Sequence, residues 1–299
     1  MASVALILLF TIIFLALIFD FINGFHDTAN AIAASVSTGA LTPRRAIMMA
    51  ACLNFLGAVL VGTAVAKTIG KGIVDPAVAT SWLVVAALLS AIAWNLITWY
   101  LGLPSSSSHA LIGGIIGAGV ASKGWGCLHW EGIAHIIESL IFSPLVGFGF
   151  AFFFMVALYW IFRKMRPNQV RTWLRYSQVL SAAFMSLSHG TNDAPKSMGM
   201  ITMALLAAGY LKEFHVPYWV VVACAAAMGL GTSAGGWKII KTMGSRIVKL
   251  QPIHGFAADM TSAIVITTAS HFGLPVSTTH VVSSAIMGVG STQRMSAVR

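Results

Sequence analysis

Apolar residues run in long blocks along this chain, and polar residues arrive in clusters. Ser3–Ile22, Ala46–Ala66, Trp82–Tyr100, Pro144–Phe162 and Trp219–Trp237 are the clearest blocks. Each approaches the ~20 apolar residues that a helix needs to cross a bilayer. The expected fold class is therefore all-α, a polytopic helical membrane protein. The first block is too long and too poor in flanking charge for a cleaved leader, and no small-residue cleavage site ends it. Four shorter runs, Ala31–Leu41, Ala110–Ala121, Ser197–Ala208 and Val281–Gly290, each follow a polar cluster. Runs of about 10–14 residues after a polar break predict half-helices or re-entrant segments.

Composition agrees. Of 299 residues, 58% are hydrophobic and 9% charged. A soluble domain carries roughly a quarter of its residues as charges, so this chain could not cover a water-facing surface. The net charge of +10 does not point to nucleic acid. Its basic residues gather in loops, as the positive-inside rule requires of cytoplasmic loops. Arg163, Lys164, Arg166, Arg171 and Arg175 form the densest group. Residues 163–175 are therefore read as a cytoplasmic linker between a first repeat, 1–162, and a second, 176–299. Cys52, Cys127 and Cys224 are odd in number and far apart, so they read as buried small residues rather than a disulfide frame.

The carboxylates narrow the chemistry. Asp75, Glu131 and Glu213 fall in loops, but Asp20, Asp27, Glu138, Asp193 and Asp259 lie within or against apolar segments. An acid there is costly unless paired, protonated or functional. Asp20 and Asp259, each standing singly, could instead reach the headgroups. Asp27 and Asp193 sit among other polar groups, where that explanation is weak.

Those two acids belong to a duplication. Gly24-Phe25-His26-Asp27-Thr28-Ala29-Asn30 matches Gly190-Thr191-Asn192-Asp193-Ala194-Pro195-Lys196, and Gly102-Leu103-Pro104-Ser105-Ser106-Ser107-Ser108-His109 matches Gly273-Leu274-Pro275-Val276-Ser277-Thr278-Thr279-His280. The offsets are 166 and 171 residues. Pro104 and Pro275 suit a first helical turn. The hydroxyls after them then lie at a helix N-terminus, which binds anions through free N–H groups and its dipole. Plain N-capping is the alternative, and it needs one hydroxyl rather than a run. Basic residues alternate between the equivalent loops: Arg44-Arg45 against Lys212-Glu213, then Lys67 and Lys71 against Lys238, Lys241, Arg246 and Lys249. Equivalent loops on opposite membrane faces mark an inverted-topology repeat with broken helices around one midplane site.

With Ser188-His189 before the second motif, and Glu138-Ser139 and Pro144-Leu145 in similar style, the chain resembles the inorganic phosphate transporter (PiT) family from about residue 20 onward. The resemblance implies a symporter that imports inorganic phosphate with Na⁺ or H⁺ across a bacterial plasma membrane. By position it carries site roles onto Asp27, Asn30, Asn192, Asp193, Lys196, Ser106, Ser107, Ser108, Ser277, Thr278 and Thr279; Thr28 joins the substrate set. His26 stands where many members have Asn, as in the bacterial low-affinity branch. The resemblance also predicts one more spanning helix beyond Arg299.

A phosphate anion can sit beside Asp27 and Asp193 only if a cation neutralises them. The candidate coupling-cation residues are Asp27, Asn192, Asp193, His26 and Glu138. The cation is H⁺ or Na⁺, or the cargo is a metal–phosphate complex; no metal-ligand set is assigned and no further cofactor is expected. His26 offers an imidazole nitrogen and no oxygen ligand, which leans toward protons or a metal–phosphate complex. Lys196 either pairs with an Asp or touches phosphate. His109, His189 and His280 are expected to pack and hydrogen-bond at helix breaks. The expected partners are inorganic phosphate and membrane lipid, with a homodimer as one open assembly and no nucleic acid. A sulfate permease of the same family is the alternative function. A channel is less suited to paired broken helices. An enzyme is not expected, since no His pair has the spacing of a zinc site.

Overall fold

The computed structural model describes residues 2–60, 62–75, 79–165, 167–245 and 250–293, with the side chains of 2–3, 167–172 and 245 set aside. Among the described residues the chain is helical, with a single isolated bridge between Val74 and Leu128. The first half runs α1 (Ala2–Ser37), α2 (Pro43–Leu60), α3 (Ala64–Lys71), α4 (Ser81–Leu101) and α5 (Ser107–Lys123). The long α6 (Trp130–Phe162) follows. The second half repeats the order: α7 (Pro167–Ala207), α8 (Tyr218–Ala234), α9 (Trp237–Ser245), α10 (Pro252–His271) and α11 (Thr278–Ser291).

Packing follows the same duplication, but crosswise. Gly24 of α1 lies against the Met228 carbonyl of α8, and Gly231 of α8 lies against the Phe21 carbonyl of α1. In the other half Gly190 of α7 lies against the Asn54 carbonyl of α2, and Gly57 of α2 lies against the Leu187 carbonyl of α7. A Cβ at any of the four would enter backbone, so glycine is what permits these approaches. Equivalent helices α1 and α7 run antiparallel: Asp20 lies against Ser197, while Asn23, three residues further along α1, lies against Asp193, four residues earlier on α7. Their opposed directions are the signature of an inverted repeat.

The outer surface is apolar. Phe10, Phe14, Ile141, Phe153 and Ile161 are exposed, as are Trp82, Trp94, Tyr100, Trp160 and Tyr218. Such a coat suits lipid, with aromatic rings available for the interfaces. Val4–Ser37, Pro43–Leu60, Ser81–Leu101 and Trp130–Phe162 are long and apolar enough to span, and Tyr218–Ala234 with Trp237–Gly244 reaches the same measure as a pair bent by 72°, the shape of a broken span or a re-entrant loop. Asp193 and Lys196 of α7 and Asp259 of α10 turn inward and are buried.

Several boundaries differ from the sequence reading. The motifs around Asp27 and Asp193 do not break their helices; α1 and α7 run straight through them. Their polar side chains form one face and find partners on other elements, so no irregular backbone is needed. Ala31–Leu41 and Ser197–Ala208 are accordingly the ends of long helices. The two hydroxyl motifs do open short helices, α5 and α11. Pro104 and Pro275 lie just outside them, because Ser106 and Ser277 are the N-caps. Block Ala46–Ala66 divides into α2 and α3, Trp219–Trp237 ends at Ala234, and α6 begins well before Pro144. Glu131 belongs to the first turn of α6. Helix α7 begins at Pro167, inside the basic segment 163–175. Of the basic residues, Arg166, Arg246, Lys249, Arg294 and Arg299 and the side chain of Arg171 lie outside the described residues. Cys52 faces outward on α2, Cys127 is half-buried and Cys224 is buried; all three are free thiols.

Candidate functional site

Two helix N-termini meet tip to tip at the centre of the crosswise packing. Helix α5 returns from α4 through residues 102–106, and α11 returns from α10 through 272–277. Glycine makes both returns possible, since Gly102 and Gly273 adopt φ of +69° and +71°. His109 and His280, equivalent residues of the two first turns, meet with ring centroids 4.8 Å apart and planes tilted by 44°.

Each of the three hydroxyls in a tip has its own task, fixed by helix phase. The first is a cap: Ser106 Oγ accepts from the His109 N–H and Ser277 Oγ from the His280 N–H, both at 3.2 Å. Capping, weighed as the plain alternative, is thus the work of one hydroxyl in each run. The second turns to its own half's acid. Ser107 Oγ lies 2.7 Å from Asp27 Oδ2, and Thr278 Oγ1 3.4 Å from Asp193 Oδ2. The third latches the opposite tip: Ser108 Oγ donates to the Val276 carbonyl at 2.9 Å, and Thr279 Oγ1 to the Ser105 carbonyl at 3.0 Å.

The residues beside each acid anchor the same tips. His26 faces Asp27 Oδ1 at 2.7 Å and Thr98 Oγ1 at 3.1 Å, with Ser105 Oγ at 3.4 Å. Asn192 donates to Asp193 Oδ1 at 2.6 Å and to the Val276 carbonyl at 3.0 Å. Asn30 donates across the pseudo-twofold axis to Thr279 and Thr278. Lys196 also crosses it, to Ser108 Oγ at 2.6 Å, and pairs with Asp193 Oδ1 at 2.5 Å. His26, Asp27, Asn30, Asn192, Asp193, Lys196, Ser107, Ser108, Thr278 and Thr279 are all at most 2% exposed. The cluster is closed to water on every side.

Two expected members stand apart. Thr28 turns its hydroxyl back to the Gly24 carbonyl at 2.6 Å and toward the Thr232 carbonyl, so it serves the α1–α8 contact. Glu138 is brought nowhere near the cluster. Its side chain is 63% exposed on the outer face of α6, 3.6 Å from His135. The residues of α6 that face inward are Ile133, Ile136 and Leu140, and position 138 falls on the opposite side.

Two residues were missed. Asn23 is one turn before Asp27, within reach of Ser107 Oγ at 2.7 Å and donating to Asp193 Oδ2 at 3.4 Å. His189, read as a packing residue, faces Asp193 Oδ2 with Nε2 at 3.2 Å and Asn54 Oδ1 with Nδ1 at 3.2 Å. Both are polar, and they share the 166-residue offset of the acids; that was the available signal.

His189 gives the site its electrostatic character. The Asn54 amide nitrogen donates to Thr232 Oγ1 at 2.8 Å, which turns Asn54 Oδ1 toward His189. An oxygen acceptor there assigns the ring proton to Nδ1. Nε2 then faces the Asp193 carboxylate: with both ring protons it donates there, and without the second it offers a lone pair to a cation shared with that carboxylate. Asp27 completes the group: one ligand atom from each of Asp27, His189 and Asp193 lies within 4.8 Å of the others. Three ligand atoms this close and this buried make up a candidate cation site.

Comparison with known proteins identifies the family. The chain is 54% identical to a protein of Bacillus subtilis described as a "probable low-affinity inorganic phosphate transporter", over 99% of this chain and 90% of that one. It is 48% identical to a protein of Rhizobium meliloti with the same description, over 100% of this chain and 90% of that one. A solved structure entitled "The sodium-dependent phosphate transporter" superposes with a TM-score of 0.88 at 26% identity, covering 96% of this chain and 90% of that one. The profile of the phosphate transporter family matches residues 23–299, and the chain belongs to that family.

Proposed function

We propose that the chain is a symporter that imports inorganic phosphate into a bacterium across its inner membrane, together with a cation. The observation that carries this reading is the meeting of the two hairpin tips beside the Asp27–His189–Asp193 group. Capping by Ser106 and Ser277 serves the third N–H of each helix. The N–H groups of Ser107, Ser108, Thr278 and Thr279 remain for an oxyanion between the tips. Asp27 and Asp193, ligand atoms within 4.8 Å of each other, repel by about 3 kcal/mol at an effective dielectric of 20. An arriving phosphate adds a like charge. A cation between the acids removes both penalties, so anion and cation bind together.

The imidazole nitrogen favours a proton, or a divalent metal that travels with phosphate, over an alkali ion. A second reading, Na⁺ in the same place, is favoured by the oxygens of Asp27, Asp193 and Asn23 and by the sodium dependence named for the structural neighbour. The latches Ser108–Val276 and Thr279–Ser105 suit alternating access, since loosening one hairpin at a time would open the cluster to one side. The test is labelled phosphate uptake into proteoliposomes, with pH and Na⁺ gradients imposed separately and sulfate added as competitor. Uptake indifferent to every cation gradient overturns the symport reading. Strong competition by sulfate overturns the choice of phosphate over sulfate.

A further inference from the structure

Asp20 is a buried acid that the cluster does not use. It lies seven residues before Asp27, on the same face of α1 as Asn23, Asp27 and Asn30 by their spacing of three and four residues. It is not at a headgroup; it is 0% exposed. Ser197 Oγ of α7 donates to Asp20 Oδ1 at 2.6 Å, and Oδ2 has no hydrogen-bond partner. The thiol of Cys224, from α8, faces the same carboxyl. Asp193 and Lys196 of α7 act on it from further away, but Lys196 is committed to Asp193 and Ser108. Helix α4, which also packs along α1, has Asn95 and Thr98 as its buried polar residues and no buried titratable one.

We propose that Asp20 is a proton-binding site of the transport cycle, separate from the phosphate and cation cluster; this rests on the symport reading above. A buried carboxylate whose donors are one hydroxyl and one weakly donating thiol, with no cation paired to it, calls for a cation. A metal ion needs four or more ligands. Here the neighbouring hydroxyl spends its hydrogen on Oδ1, and the remaining neighbour is a thiol. Asp20 also falls outside the metal-ligating group formed by Asp27, His189 and Asp193. A proton needs only the free oxygen: an O–H bond forms at Oδ2 when the site faces one side and breaks to water when it faces the other. Ser197 supplies the link to transport. It follows Lys196 directly, so a shift of α7 against α1 that releases phosphate also parts Ser197 from Asp20.

The experiment compares Asp20→Asn with the parent protein in proteoliposomes. Phosphate equilibrium exchange is measured without a gradient, and accumulation is measured under an imposed pH gradient. Asp20→Asn keeps exchange, while its accumulation falls to the level seen without a gradient; Asp20→Glu restores the response. Infrared difference spectra between high and low pH show a protonated-carboxyl band in the parent that Asp20→Asn lacks, which a packing role alone would not produce. Accumulation by Asp20→Asn equal to the parent's overturns the proposal. Loss of exchange in a folded, monodisperse Asp20→Asn also overturns it, because Asp20 then belongs to the substrate cluster. If Asp20→Asn is not recovered folded, Ser197→Ala decides: an altered pH dependence of accumulation supports the proposal, and an unaltered one overturns it. A parent driven by Na⁺ and unaffected by pH overturns the proton site but leaves symport standing. A parent indifferent to both gradients overturns symport itself.

Discussion

Replacing Lys196 by Met removes a charge that two other buried groups depend on. Lys196 Nζ lies 2.5 Å from Asp193 Oδ1 and 2.6 Å from Ser108 Oγ, inside a cluster closed to water. At an effective dielectric of 20, unit charges that close attract by about 6–7 kcal/mol before desolvation is counted. Removing one partner of a buried pair leaves the other uncompensated, at a net loss of about 3–5 kcal/mol. His189 Nε2, 3.2 Å from Asp193 Oδ2, can take a proton and donate to the stranded carboxylate, so a loss at the lower end, about 3 kcal/mol, is expected for Lys196→Met. Asp193→Asn should lose a similar amount by stranding the ammonium. The double variant should lose less than the sum, with a coupling energy of about 2–3 kcal/mol. Equilibrium unfolding in mixed detergent micelles, followed by circular dichroism, measures all three. Losses that add to within about 0.5 kcal/mol would show that the pair is not coupled and refute the reasoning.

Further outcomes follow from the geometry. Gly57→Ala and Gly190→Ala each drive a Cβ into the partner helix's backbone and should lose about 1–3 kcal/mol in the same unfolding assay. Gly113→Ala, with nothing within 4 Å of the added carbon, should be neutral or stabilising by up to about 1 kcal/mol. Ser106→Ala and Ser277→Ala remove caps and should lose about 1 kcal/mol of stability while keeping measurable phosphate uptake. Ser107→Ala and Thr278→Val remove the hydroxyls facing the acids and should lower uptake far more than stability. Glu138→Gln, on the outer face of α6, should leave the rate and KM of uptake near parental values.

Much of this arrangement was legible because it is written twice. The recurrence of Gly24–Asn30 in Gly190–Lys196, and of one hydroxyl tip in the other, located the two acids and both hairpins. The sequence also suggested that the copies were inverted, and the antiparallel crossing of α1 and α7 agrees. Phase was not legible. Three hydroxyls in a row look interchangeable as text, but a helix turns about 100° per residue. Cap, acid partner and latch therefore fall to successive positions. The same limit hid Glu138, which lies in an apolar stretch of the sequence but turns to the outer face of α6. Continuity of α1 and α7 was also hidden, because a polar cluster in an apolar block reads as a break until the partners across the axis are known. Asn23 and His189 were accessible by extending the repeat one turn before each acid. Their chemistry was not, since it depends on how Asn54 is oriented by Thr232, a contact between residues 178 positions apart.

The central claim is that Asp27 and Asp193 hold the cation that lets phosphate enter a buried site between the two tips. Concentrative phosphate uptake into proteoliposomes by Asp27→Asn and by Asp193→Asn, each checked for correct folding, tests it most directly. The account predicts that both variants lose gradient-driven accumulation; accumulation near the parental level in both would contradict it.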